Sequence, residues 1–470
     1  MTATNGAELV HLPALEQARL VRAREVSPVE LVEAYLDRID RYDPGLNSYL
    51  TVAHDHARVA AKEAEQAVTA GEQLGPLHGV PISIKDLTDT AGIRTTMGTA
   101  AYHDRVPEED ASIVTSLRAA GCIVLGKTNT PEFGIGSTDP IAYGPCRNPW
   151  DRDRTVRGSS GGAGAAMAAS LCALAHGTDG GGSVRLPAAT CGTVGLKPSR
   201  GRISTHPAAS SLFVQPGPLS RSVGDAAAFL DATAGYVTGD AFWAPVPSRP
   251  FVDEVGADPG RLRIAVVTEE AGATPHPDYE AAVWGTADVL AQLGHEVVDG
   301  DIPFPDEEYV ERFVWAFSAR IGAREDLPEL DTLDPIIRDL VLAARQVPLA
   351  GFLRAEEEAA KLARRVVASF GDFDVLVTPT VLAPPRRVDD LRDAEGRPSS
   401  DEGIGPFCFL WNVTGQPAIT LPLHQDGEGL PIGIQLVGPP QDDAMVFRLA
   451  GQLEQALPWA DRLPALDPRS

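Results

Sequence analysis

Residues 157–202 read RGSSGGAGAAMAASLCALAHGTDGGGSVRLPAATCGTVGLKPSRGR. Two glycine/serine clusters bracket a helix made of tiny residues. Small side chains let such a helix pack closely against a sheet, and glycines let backbone N–H groups approach a ligand. Working outward, Gly79-Val80-Pro81-Ile82-Ser83-Ile84-Lys85-Asp86 is a short β-rich run that ends in two charges. The spacing predicts a helix over 111–120 and a buried strand over 121–126. The segment 262–268, a helix over 277–293 and HEVVD (295–299) repeat this alternation. Further buried strands fall at 374–379, 418–423 and 432–437, and a helix over 442–456 follows. Alternation of this kind gives a layered α/β domain.

Upstream of that core, 1–75 reads as a helical segment. Ser27-Pro28-Val29-Glu30 forms a capping box with proline at the first helical position. It opens LVEAYLDRIDRY, which stops near Asp43-Pro44-Gly45. A second helix, AHDHARVAAKEAEQAVTA, ends at Gly71. His54 and His56 within it point to different faces and read as solvated side chains. The polar, turn-rich stretch 384–403 reads as a long surface loop.

A formal charge of -25 argues against nucleic acid or an anionic membrane as the main partner. Five cysteines without C-x-x-C spacing suggest a reduced protein, and the N-terminus shows no signal-peptide pattern. No apolar run approaches the roughly 20 residues of a membrane span. The expected location is the cytoplasm. Among 40 basic residues only five are lysines: 62, 85, 127, 197 and 361. Arginine serves wherever a plain positive charge suffices, whereas burial can turn lysine into a neutral amine. Lys85, Lys127 and Lys197 sit beside glycine-rich or apolar segments and are the ones to examine.

Asp179-Gly180-Gly181-Gly182-Ser183 could present successive N–H donors to one oxygen, as an oxyanion hole requires. Neither glycine cluster matches a phosphate-binding G-x-x-x-x-G-K-[ST], and no G-x-G-x-x-G follows a strand. Gly158-Ser159-Ser160-Gly161-Gly162 formally satisfies the G-x-S-x-G nucleophile elbow. That motif needs a preceding strand and a supporting histidine; DRDRTVR precedes it, and no histidine has supporting context. Ser160 is therefore not the expected nucleophile.

GSSGG, GTD-x-GGS-V-R-x-P and CG-x-VGLKPS-x-GR together resemble the amidase signature family. HGVPISIKD, LGKTNTPEFG and RNPW precede these motifs, and DVLVTPT, WNVTGQPAITLPL and GLPIGIQLVG follow them. The resemblance runs from about 75 to 440, with 77–200 as the signature core, and is most pronounced toward stand-alone hydrolases. It implies one large α/β/α domain over 1–470, with a central mixed, mostly parallel twisted sheet covered by helices. It implies a Ser–cis-Ser–Lys triad: Ser183 as nucleophile, Ser159 as bridging serine and Lys85 as base. The backbone N–H groups of Gly180, Gly181, Gly182 and Ser183 would form the oxyanion hole, with Asp179 and Arg185 holding the loop in shape. Lys127 and Lys197 read as structural ion-pair partners and Cys191 as a packed small hydrophobe. Phe133, Ile135 and Trp411 are the expected pocket walls. No cofactor or metal is implied. Arg157 and Gly180 depart from the pattern, since glycine commonly precedes GSS and a larger residue commonly stands at 180.

The expected activity is hydrolysis of amides, with esters and carbamates open to the same acyl-enzyme chemistry. Alternatives are the amidase subunit of a tRNA-dependent amidotransferase, or a catalytically silent binding protein on the same fold. The expected partner is a small-molecule substrate, and the expected assembly is a monomer or homodimer.

Overall fold

The computed structural model describes residues 6–207, 212–269, 274–305, 309, 319–392 and 406–466. The Ser27 hydroxyl accepts from Val29 N, and Glu30 completes the capping box of the helix Pro28–Tyr42. Leu31, Val32, Tyr35, Leu36 and Ile39 bury one face of that helix. The helix His54–Ala70 packs on it and stops where Gly71 takes a left-handed φ of 72°. His54 lies at its surface, 2.9 Å from Asp40.

The strands, in chain order, begin with β1 (Tyr49–Val52), β2 (Pro81–Lys85) and β3 (Ile123–Thr128). A small hairpin, β4 (Arg147–Asn148) and β5 (Asp151–Thr155), stands apart. Next come β6 (Leu174–Asp179), β7 (Val194–Lys197), β8 (Gln215–Ser220), β9 (Arg263–Val266) and β10 (Glu296–Asp299). The last three are β11 (Val375–Pro379), β12 (Ala418–Gln425) and β13 (Pro431–Val437). All but the hairpin form one 11-stranded sheet in the order β1-β3-β2-β6-β8-β7-β12-β13-β11-β9-β10.

The sheet is mixed, as expected, but not mostly parallel. Six of its ten neighbouring pairs run antiparallel. Parallel pairing is confined to β3-β2-β6 and β11-β9-β10. There the helices Ser112–Ala119 and Pro277–Gln292 make the crossovers that parallel neighbours need. The remaining pairs are antiparallel, among them β12 and β13, which a short turn joins directly.

Two short helices bring the glycine-rich stretch onto this sheet. Every residue of Gly161–Ala168 is buried, and the helix packs on β6, β2 and β3. A Cβ on Gly162 would stand 2.3 Å from Asn129 N and 2.5 Å from Ser48 O, so only glycine fits. The helix Arg185–Cys191 packs on β7, β12 and β13. A Cβ on Gly433 would stand 2.6 Å from Ala189 Cα. Residues 385–387 hydrogen-bond to the β5 region, and Arg392 bonds to Asp139 and Asp334; residues 393–403 of the expected 384–403 loop lie outside the described residues.

Candidate active site

Each serine precedes one of the short helices. A cis peptide joins Gly158 to Ser159, and Ser160 occupies the N-cap position of the helix Gly161–Ala168. Ser183 sits just before Arg185–Cys191. The two turns are joined through the backbone, because Ser160 N donates to Ser183 O at 3.1 Å. Ser159 is 3% exposed and Ser183 7%, so both hydroxyls are shielded without being sealed.

Lys85 ends β2, and its wholly buried amine donates to Ser159 Oγ at 2.7 Å. It also reaches Thr178 Oγ1 at 3.1 Å. Burial pushes its pKa down to about 7, with Asp179 pulling weakly the other way. An amine of that pKa can exchange a proton near neutrality. The Ser183 hydroxyl makes no hydrogen bond to a described residue.

Asp179 and Arg185 form a fully buried ion pair at 2.8 Å. Burial alone would raise the Asp179 pKa, but the guanidinium and Asn412 hold it below the usual carboxylate range. Asp179 accepts from Gly182 N (2.8 Å) and Val184 N (3.1 Å), which shapes the glycine turn. Gly182 is thereby removed from the expected oxyanion donors, because its N–H is already spent. The N–H groups of Gly180, Gly181 and Ser183 have no partner among the described residues.

Other expectations divide. Gly134 lies close to Ser159: a Cβ there would be 3.4 Å from Ser159 Oγ. Its neighbours Phe133 and Ile135 pack against Ile321, Leu333, Ile337 and Val341, so they line the loop that passes the serine. Phe133 holds a left-handed φ of 51°. Trp411 is not a pocket wall. It is 0% exposed, its indole donates to Phe407 O, and it packs with Leu376, Phe407 and Val437. On the helix Pro406–Thr414, the Cys408 carbonyl and the Asn412 side chain meet the Asp179–Arg185 pair. Lys127 donates to Thr88 O, Thr90 Oγ1 and Thr95 Oγ1 rather than entering an ion pair. Lys197 likewise meets a carbonyl, Pro198 O at 3.0 Å. Burial lowers their pKa values to about 8 and about 7. Lys62 is exposed, and so is Lys361.

Four residues escaped the sequence reading. Thr178 holds the lysine, and Ser160 Oγ in turn holds the Thr178 backbone. Asn412 and Gln435 brace Asp179 and Arg185 from distant segments. Only Ser160 carried a signal, as the second half of the serine doublet. Among the described residues, no group of three His, Cys, Asp or Glu could hold a metal ion.

The family described as Amidase matches residues 30–447. AmiB2 of Mycobacterium tuberculosis is 41% identical over 473 residues, spanning 98% of this chain and 99% of its own. The 6-aminohexanoate-cyclic-dimer hydrolase of Paenarthrobacter ureafaciens is 37% identical, with 96% of each chain covered. A solved 6-aminohexanoate cyclic dimer hydrolase, complexed with substrate, superposes with a TM-score of 0.88 at 35% identity, covering 97% of this chain and 99% of that one.

Proposed function

The chain belongs to the amidase signature family, whose members hydrolyse amides; on that premise we propose that it works through an acyl-enzyme on Ser183, with Ser159 and Lys85 moving the protons. The observation that carries this reading is the buried amine of Lys85, 2.7 Å from Ser159 Oγ, with a pKa near 7. Ser183 Oγ attacks the carbonyl carbon, and its proton passes to Ser159 as the Ser159 proton passes to the Lys85 lone pair. The resulting oxyanion is met by the free N–H groups of Gly180, Gly181 and Ser183. On collapse the C–N bond breaks, and the proton returns from Lys85 through Ser159 to the departing amine. Water then attacks the acyl ester by the same route, releasing the acid and restoring Ser183. The Ser183 hydroxyl must turn toward Ser159 in this cycle, since catalytic hydrogen bonds commonly tighten only once substrate is bound.

Esters and carbamates would pass through the same acyl-enzyme. The protein is proposed to act in the cytoplasm as a monomer or homodimer on a small molecule; among the described residues no helix is long and apolar enough to cross a membrane. A fluorophosphonate probe followed by peptide mass mapping tests the assignment. Adduct on Ser183 is expected, and adduct on Ser160 or on neither serine would refute it. Hydrolysis of p-nitroanilides by the purified single chain is expected to survive EDTA.

A further inference from the structure

Taking Ser159 as the proton carrier proposed above, we infer that Arg157 is its positioning residue, tying the turn before Ser159 to the segment that follows β11. Arg157 is a non-glycine residue held at a left-handed φ of 57°. An L side chain adopts that conformation at a cost, so something around it must hold it there.

The surrounding contacts supply that restraint from both sides. On the backbone, Arg157 N donates to Thr155 Oγ1 at 3.0 Å, and Arg157 O accepts from Thr138 N at 3.2 Å. Gly158 is pressed against the same loop: a Cβ there would stand 2.2 Å from Gly136 O. On the side chain, Arg157 Nη2 donates to Ala383 O at 3.3 Å. Among the described residues, Arg157 Nε and the Tyr279 hydroxyl are buried without a partner.

This contact is the last stitch of a seam. Arg154 Nη1 donates to Pro385 O at 3.0 Å, Thr155 N to Arg386 O at 2.8 Å, and Arg387 pairs with Asp153 at 3.0 Å. The 383–387 segment therefore runs along β5 and reaches the serine turn through Arg157. Ser160, two residues past Gly158, then joins that turn to Ser183 O. A displacement at 157 thus bears on the distance between the two hydroxyls.

Three variants separate the guanidinium from the backbone conformation. Arg157→Gly accepts the same φ without strain and lacks the clamp; Arg157→Ala lacks the clamp and keeps the strained Cβ; Arg157→Lys keeps a cation that reaches toward the same carbonyl. Fluorophosphonate labelling of Ser183 and kcat on a p-nitroanilide are expected to fall about tenfold in both the Gly and Ala variants, with KM changed less than about twofold. Lys is expected to restore at least about half the rate. Hydrogen exchange at the Thr138 and Ser160 amides should quicken in Arg157→Gly even though its melting temperature is no lower than that of Arg157→Ala. Wild-type labelling together with unchanged exchange in Arg157→Gly would overturn the inference. The exchange readout requires no turnover, so it judges the clamp even if no serine is labelled; an unlabelled wild-type chain would count against the hydrolase reading instead.

Discussion

The lysine at 85 is a base only while its amine is uncharged, and burial supplies that condition. Lys85→Arg keeps the charge but cannot be deprotonated, so turnover is expected to fall by about 10³-fold or more, measured as kcat on an aryl amide. Wild-type-like activity in that variant would remove the lysine from the mechanism. Since the neutral amine is the working form, kcat/KM should climb through about pH 7 and level off above it. A profile flat from about pH 6 to about pH 8 would show that the Lys85 amine does not control the reaction by titrating there. Trp411 gives the opposite kind of test. Truncating this buried ring to alanine should cost about 3–5 kcal/mol in urea denaturation and leave KM unchanged. A raised KM without lost stability would return Trp411 to the pocket wall.

Among the elements, the two short helices after the serines depend on close backbone approach. Gly162→Ala would drive a Cβ into Asn129 N and Ser48 O, which are backbone atoms that cannot step aside. A loss of about 3 kcal/mol or more, or failure to accumulate soluble protein, is expected. Arg185→Met leaves the Asp179 carboxylate buried without its partner and should cost about 3–5 kcal/mol while loosening the glycine turn. The helix Gly161–Ala168 was legible as a run of glycine and alanine between the two clusters, whereas the helix Arg185–Cys191, with Pro187 inside it, was not. The groups that complete the site were not legible either. Thr178, Asn412 and Gln435 act across sheet joints, so nothing local distinguishes them from other polar residues of strand or helix. Strand β8 was hidden for a related reason. Pro216 and Pro218 argue against an interior strand, yet the ladder with β7 is confined to Leu219 and Ser220, beyond both prolines.

Across the whole molecule, the positions of β2, β3 and β9 to β13 followed from apolar runs, whereas β1, β6, β7 and β8 and the direction of the strands did not. Direction depends on which strands become neighbours, and β6, β8, β7 and β12 meet across long stretches of chain. Three lysines folded into this interior also couple its stability to pH. Lys85, Lys197 and Lys127 carry folded pKa values of about 7, about 7 and about 8, below lysine's ordinary 10.5. The unfolded chain therefore binds more protons above neutrality, and stability should rise with pH between about 7 and about 8.5. Below the folded values both states are protonated and this gain is gone. Buried cysteines such as Cys122, their thiols raised by burial to about 12, oppose the trend only once unfolded thiols begin to ionise. Melting temperatures across that window check the sign, and a falling series would mean that the lysines stay charged.

The seclusion of those same three amines has a practical side. Lys62 and Lys361 are the lysines left at the surface, so amine-reactive dyes or resins would find few handles on the folded protein, none of them at the proposed base. Immobilisation through lysine should therefore spare the chemistry, and newly reactive amines would announce that the interior had opened.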